Sequence, residues 1–255
     1  MKNFIDSCKR NNYLFYFLGL LFILVIWYVG FLSFNNDYII PSISQTLDSL
    51  KKLLFDKYTY EVLGHTLIRL FISISVCFIL GVVLAALSKL SNKFKAFVKP
   101  LFTLLKTLPV AVVIILLLVM LKSNSLYYIV GVVILPIIYE ACINGLDSID
   151  KNITDEVKMD SKLNFYIIFK LYIPLIFPYI FTSLLQSIGL GLKVLVMAEF
   201  ISNTKNSIGY EILYYKDFAN EMSFVYAWSI ILILFVLIID SVINIIKSKS
   251  LLIYK

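Results

Sequence analysis

Six apolar stretches, near 13–34, 66–88, 101–121, 125–144, 175–200 and 223–246, constrain this chain more than anything else in it. Each is rich in Leu, Ile, Val and Phe, and the charged residues gather in the gaps between them. A run of about 20 such residues is what a helix needs to cross a hydrocarbon core roughly 30 Å thick. Inside lipid the backbone finds no water, so each run must close its own hydrogen bonds as a helix. Composition agrees. Of 255 residues 60% are hydrophobic and 15% charged, whereas a soluble domain is nearer half apolar and about a quarter charged. The predicted fold class is all-α: a polytopic membrane protein of about six transmembrane helices, forming a single domain over 1–255. The start of the fifth span is its least regular point, because Pro174 and Pro178 would break or kink a helix there.

The net charge of +7 bears on orientation before it bears on nucleic acid, which is not expected as a partner. The segments 1–12, 89–100, 145–172 and 247–255 together hold fourteen lysines and arginines. The segments on the other side, 35–65, 122–124 and 201–222, hold six. Basic loops stay in the cytoplasm, so the imbalance predicts cytoplasmic N- and C-termini. The N-terminal apolar run is too long for a signal-peptide core and has no small-residue cleavage site, so it is expected to remain as the first span. Outside, Leu47, Leu50, Leu53, Leu54 and Phe55 predict a short amphipathic helix at the membrane surface.

Several chemistries find no support. Cys8, Cys77 and Cys142 are scattered and odd in number, which predicts no disulfide framework. His65 is the only histidine, a poor basis for a metal site or a catalytic triad. It reads best as a polar cap at the mouth of the second span. No G-x-x-x-x-G-K-[ST] phosphate loop is present, and no repeat of 20 to 50 residues appears.

The most informative stretch is polar. Asp155, Glu156, Lys158 and Asp160 crowd a short segment between two apolar blocks, within a loop over 145–172. Asn152 and Asp155 resemble a capping box for a helix over 153–160. Ser161 and Asn164 are placed to cap a second helix from Phe165 to Tyr172. Two turns of helix are marginal alone and need a docking surface.

That segment resembles the cytoplasmic loop motif of binding-protein-dependent ABC transporter permeases, E-A-A-x-x-x-G followed nine residues later by I-x-L-P. Asp155, Glu156 and Val157 fall at E-A-A, Ser161 at the glycine, Leu171 at the I, Ile173 at the L and Pro174 at the P. The spacing fits throughout; the acid at 155, Glu156 for Ala and Ser161 for Gly depart from the motif. Other stretches occur in the order of the nitrate/sulfonate/taurine-type branch. They are Ile40-Pro41-Ser42, His65-Thr66-Leu67-Ile68-Arg69, Leu105-Lys106-Thr107-Leu108-Pro109, Gly145 to Asp150, Ala198-Glu199, Gly209 and Asp240. That branch usually carries Arg at the position of Lys106. The resemblance covers about residues 36 to 245.

The resemblance implies a type I ABC importer permease, a transport subunit rather than an enzyme, in the cell membrane. It implies that the loop, at Asp155, Glu156, Val157, Lys158, Met159, Asp160, Ser161 and Pro174, couples to two separate ABC ATP-binding subunits. The permease itself would bind no cofactor, ATP being held by those subunits. It further implies a second permease copy, usually identical, and an extracytoplasmic solute-binding protein. The solute would be a sulfonate-, taurine- or nitrate-like anion or a vitamin precursor. An ion-coupled secondary transporter and a non-transport membrane scaffold stay open as alternatives. An intramembrane enzyme would need facing catalytic groups that the single histidine and isolated acids do not supply.

Ionisable residues in or beside the spans should face a path, a cavity or a partner charge. Arg69, Lys106, Glu140, Lys193, Glu199 and Asp240 are the candidates, with Pro109 opening the third span. Lys193 and Glu199 lie six residues apart, about 240° around a helix, so they cannot pair with each other. Gly189 and Gly191 permit close helix approach. The fifth span is therefore expected to line the pathway, with Lys193 nearest the solute or a gate and Asp240 in an interhelical pair.

Overall fold

The computed structural model describes residues 2–121, 125–160 and 164–253, with side chains at 15, 17–121, 125–157, 159, 164–239 and 241. Among the described residues the chain is helical throughout, without strands. Long helices are α1 (Lys2–Phe34), α3 (Lys57–Leu90), α6 (Ser125–Asp147), α10 (Phe177–Ser202) and α12 (Met222–Ile253). Shorter ones are α2 (Ile43–Phe55), α4 (Asn92–Thr107), α5 (Val110–Leu121), α7 (Lys151–Asp160), α8 (Phe165–Ile167), α9 (Ile173–Leu175) and α11 (Ile208–Asp217). Among the described residues five helices are long and apolar enough to cross a membrane, or six if α4 and α5 form one broken span.

The third span corrects the sequence expectation of one helix over 101–121. A helix arrives from Asn92 instead, and the axis turns by 101° before α5 begins. Pro109 explains the break. It has no N–H to donate, and it forces Leu108 before it into an extended conformation (φ −65°, ψ 130°). Twelve residues of α5 rise only about 18 Å, too short to cross alone.

Residues fall into two compact units. One comprises 1–59 and 211–232, the other 60–210 and 233–255. In the first, α2 starts at Ser42, whose hydroxyl accepts from Gln45 N while the Gln45 side chain accepts from Ser42 N. Ser49 bonds Ser223 at 2.8 Å, and Trp27 donates to the Pro41 carbonyl at 3.0 Å. Leu47, Leu54 and Phe55 stay exposed along α2, the apolar edge expected of a surface helix.

In the second unit α6 is the central element. Ile129, Val130, Ile134, Ile138 and Cys142 are fully enclosed, and α6 packs against α4, α5 and above all α10. Small residues allow this. A Cβ on Gly191 would lie 2.6 Å from Ile134 Cδ1, and one on Gly145 2.9 Å from Ile176 Cβ. Gly189, paired with Gly191 in the sequence expectation, meets nothing within 4 Å.

Candidate functional site

The polar segment forms α7, and its helix begins two residues earlier than expected. Asp150, rather than Asn152, caps it: the Asp150 carboxylate accepts from Asn152 N at 3.0 Å, and its carbonyl accepts from Thr154 N and Thr154 Oγ1. An acid one position ahead of the first turn also meets the positive end of the helix dipole. On α7 Asp155 and Glu156 are exposed, Val157 is half-buried, and Met159 is 88% exposed. Met159 therefore offers an apolar tip on an otherwise charged helix. The side chains of Lys158 and Asp160, and all of Ser161, lie outside the described residues.

Downstream, Asn164 caps α8 by accepting from Ile167 N at 2.9 Å, as the sequence suggests. The helix then widens into a π turn over Ile168–Tyr172, passes through α9 with the exposed Pro174, and breaks at Ile176. α10 starts afresh with Pro178 in its first turn, where a missing N–H costs nothing. The two prolines thus bracket a joint between the polar loop and the long helix.

Ion pairs and a ring stack fix α4 against α6. Lys95 bonds Asp147 at 2.6 Å, Phe102 stacks on Tyr139 with centroids 4.1 Å apart, and Lys106 bonds Glu140 at 2.6 Å. Positions 95, 102 and 106 share one face of α4 at helical spacing. Lys106 and Glu140, placed separately beside the bilayer by the sequence, therefore neutralise each other. Sequence reasoning missed the pairing of Lys95 with Asp147, counting the lysine only toward orientation and the acid only within the stretch Gly145 to Asp150.

A second cluster sits at the opposite end of α6, α3 and α10. Glu199 is fully buried and bonds Arg69 Nη1 at 2.9 Å. Thr66, one turn before Arg69, donates to both Glu199 carboxylate oxygens at 3.1 Å. Gly209 N donates to the same carboxylate at 3.4 Å, and Ile208 N donates to Thr66 Oγ1 at 3.2 Å. A Cβ on Gly209 would collide with Phe200 N and Val196 O, so only glycine lets α11 start this close. Every oxygen of the buried carboxylate has donors, which is the condition for holding a charge there. The knot ties α3, α10 and the beginning of α11 together.

Lys193 lies on the other face of α10, exposed, and has no ion-pair or hydrogen-bond partner among the described residues. The exposed face below it carries Gln186, Thr182 and Tyr179, spaced three or four apart. With Asn144 of α6, those three residues line a cleft of about 390 Å³. Asp240 belongs to α12, and its side chain lies outside the described residues. Among the described residues no cluster of three or more His, Cys, Asp or Glu could hold a metal ion.

Residues 78–250, well over half of the chain, match the family described as Binding-protein-dependent transport system inner membrane component. No curated protein matches the chain.

Proposed function

The chain belongs to the family of binding-protein-dependent transport system inner membrane components, and from that premise we propose that it is the permease subunit of an ATP-driven importer of a small anion. Family membership makes it a multi-pass protein of the cytoplasmic membrane and a transport component rather than an enzyme. In the proposed arrangement both termini and the loop carrying α7 are cytoplasmic. Two ATP-binding subunits dock on that loop, over 153–174. A second copy of the chain completes the path, and an extracytoplasmic binding protein delivers the solute.

The observation that carries this reading is α7. It is a capped, charged helix that presents Glu156 and Met159 outward, between two membrane helices, with nothing among the described residues over Met159. Such a knob suits a groove on a separate subunit. ATP-driven closure of that subunit would pull α7, and the joint at Pro174 and Ile176 would pass the pull to α10. The exposed face with Tyr179, Thr182, Gln186 and Lys193 supports a polar path through lipid, since such groups face water or partners in membranes. Lys193 is the cation on that face, which favours a nitrate-, sulfonate- or taurine-like solute over a cationic one.

Co-expression with the ATP-binding subunit of the same system, followed by purification through a tag on one chain, tests the docking. Glu156→Lys and Met159→Asp should each weaken co-purification by about tenfold, the effect of roughly 1.4 kcal/mol at an interface. Full retention of the ATP-binding subunit by both variants would remove α7 from the interface.

A further inference from the structure

We propose that Lys89 is a positioning residue of the transport cycle, the pin through which movement of the polar loop reaches the far end of α3. The inference rests on the transport reading above and assigns a role to a residue outside the loop motif.

Lys89 stands in the last turn of α3 and touches both ends of the loop. Its Nζ donates to the Leu146 carbonyl at 3.1 Å, in the last turn of α6 where the loop begins. The same Nζ lies 5.3 Å from the centroid of the Tyr172 ring, at the end of the π turn where the loop closes. Each contact has its own chemistry. The final carbonyls of a helix lack intrahelical partners and form its negative end, which a cation satisfies. An aromatic face within about 6 Å attracts an ammonium through its quadrupole. Tyr172 is fully buried, and its hydroxyl has no partner among the described residues. The ring, not the hydroxyl, is what the lysine holds.

A second tie lies beside the first. Lys95 and Asp147 join the start of α4 to the end of α6, and Thr154 of α7 lines the same cleft of about 230 Å³. The α3–α4 elbow is thus fastened to the end of α6, from which the polar loop departs. From Lys89 the helix runs unbroken to Arg69, twenty residues or about 30 Å away. Midway, Gly81 sits so close to α6 that a Cβ there would lie 2.8 Å from Ile138 Cγ2, which limits independent sliding of the two helices. At its end stands the Arg69–Glu199–Thr66 knot, which also holds the start of α11. A displacement at the loop therefore has a continuous solid route to the opposite end of the bundle.

The test places a reporter cysteine at His65, exposed one residue before Thr66, in a Cys8→Ser background; Cys77 and Cys142 are buried. The full complex with its ATP-binding subunits is labelled with a maleimide in the absence and presence of ATP and vanadate. In the parent the labelling rate should change by about fivefold or more, a typical coupling between distant sites. Lys89→Met should abolish that change while the complex still assembles and hydrolyses ATP, and Tyr172→Leu should abolish it as well. Lys89→Arg and Tyr172→Phe should keep it, because a guanidinium still donates and stacks and the phenylalanine keeps the ring. An ATP-dependent change in Lys89→Met within about twofold of the parent's overturns the proposal, since a coupling element must alter the response. Should Lys89→Met fail to assemble, Tyr172→Leu against Tyr172→Phe decides by the same criterion. A parent complex that assembles with no ATP-binding subunit at all would instead overturn the transport reading itself.

Discussion

Glu199 shows how a single residue can hold a membrane protein together. A carboxylate enclosed by helices is costly, yet here an arginine, a threonine and a backbone amide share its two oxygens. Breaking a buried pair by removing one partner leaves the other charge uncompensated, at about 3–5 kcal/mol. Glu199→Ala should therefore lower the melting temperature in detergent sharply, and Arg69→Met combined with Glu199→Leu should recover part of the loss. A melting temperature unchanged in Glu199→Ala would show that the knot contributes nothing. Glu211, outside the spans, is a different case. Burial pushes its carboxyl above the ordinary glutamate range, Asp56 adds to the rise, and the Tyr58 hydroxyl, bonded at 2.9 Å, opposes it. A raised folded pKa stabilises the fold below the unfolded value of 4.5 and loses that contribution as pH climbs through the folded value. Glu211→Gln keeps an acceptor for Tyr58, so it should raise the melting temperature at pH 7.5 and lose that advantage near pH 4. An advantage that persists at pH 4 would rule out titration as the cause.

At the scale of elements, the apolar runs are enough to place the long helices, because a continuous apolar run of about 20 residues in lipid satisfies its own backbone only as a helix. The charged stretch and the spacing from Asp155 to Pro174 are enough to place α7 and the joint after it. The bend at Pro109 was not legible in its angle. A proline says that a helix stops, whereas its new direction depends on Lys95, Phe102 and Lys106 finding Asp147, Tyr139 and Glu140 from 30 to 60 residues away in sequence. The same limit hid Lys89 and the partner of Glu199: each pairing crosses between helices, and one sequence carries no sign of which helices meet. Glycine makes the limit concrete. Gly189 and Gly191 look alike in the sequence, but only Gly191 faces a neighbour, and Gly209, in the first turn of α11, has the closest backbone approach. Alanine favours a helix over glycine by about 1 kcal/mol, so Gly189→Ala should leave stability unchanged or raise it. Gly209→Ala gains the same propensity yet drives a methyl into backbone atoms of α10, and overpacking of this kind costs about 1–3 kcal/mol. Thermal unfolding of the pair separates propensity from contact; equal behaviour would mean that α11 shifts freely.

At the scale of the whole molecule, two of the long helices differ in what they expose. In α1 no residue of the window Phe17–Phe34 is buried, and its outward side chains are nearly all apolar, as lipid requires. The outward face of α10 instead mixes Tyr179, Gln186, Lys193 and the half-buried Thr182 with the apolar Leu190 and Met197, in a helix also long and apolar enough to cross a membrane. Lys193 lies nine residues from the end of α10, about 13 Å along its axis, which is farther than a lysine stem can snorkel comfortably. An ammonium at that depth in lipid costs roughly 2.5–3.5 kcal/mol on insertion scales. In the proposed dimer this face turns inward, toward a second copy and a water-filled path, and the cost disappears. Cysteine substitution tests the arrangement. Gln186→Cys should form a covalent dimer with a short bis-maleimide in membranes, whereas Phe17→Cys, 66% exposed on α1, should not. Cross-linking should also respond to ATP and vanadate, because a path that opens alternately must change the distance across it. A Gln186→Cys protein that stays monomeric while Phe17→Cys cross-links would turn α10 toward lipid and take the pathway elsewhere.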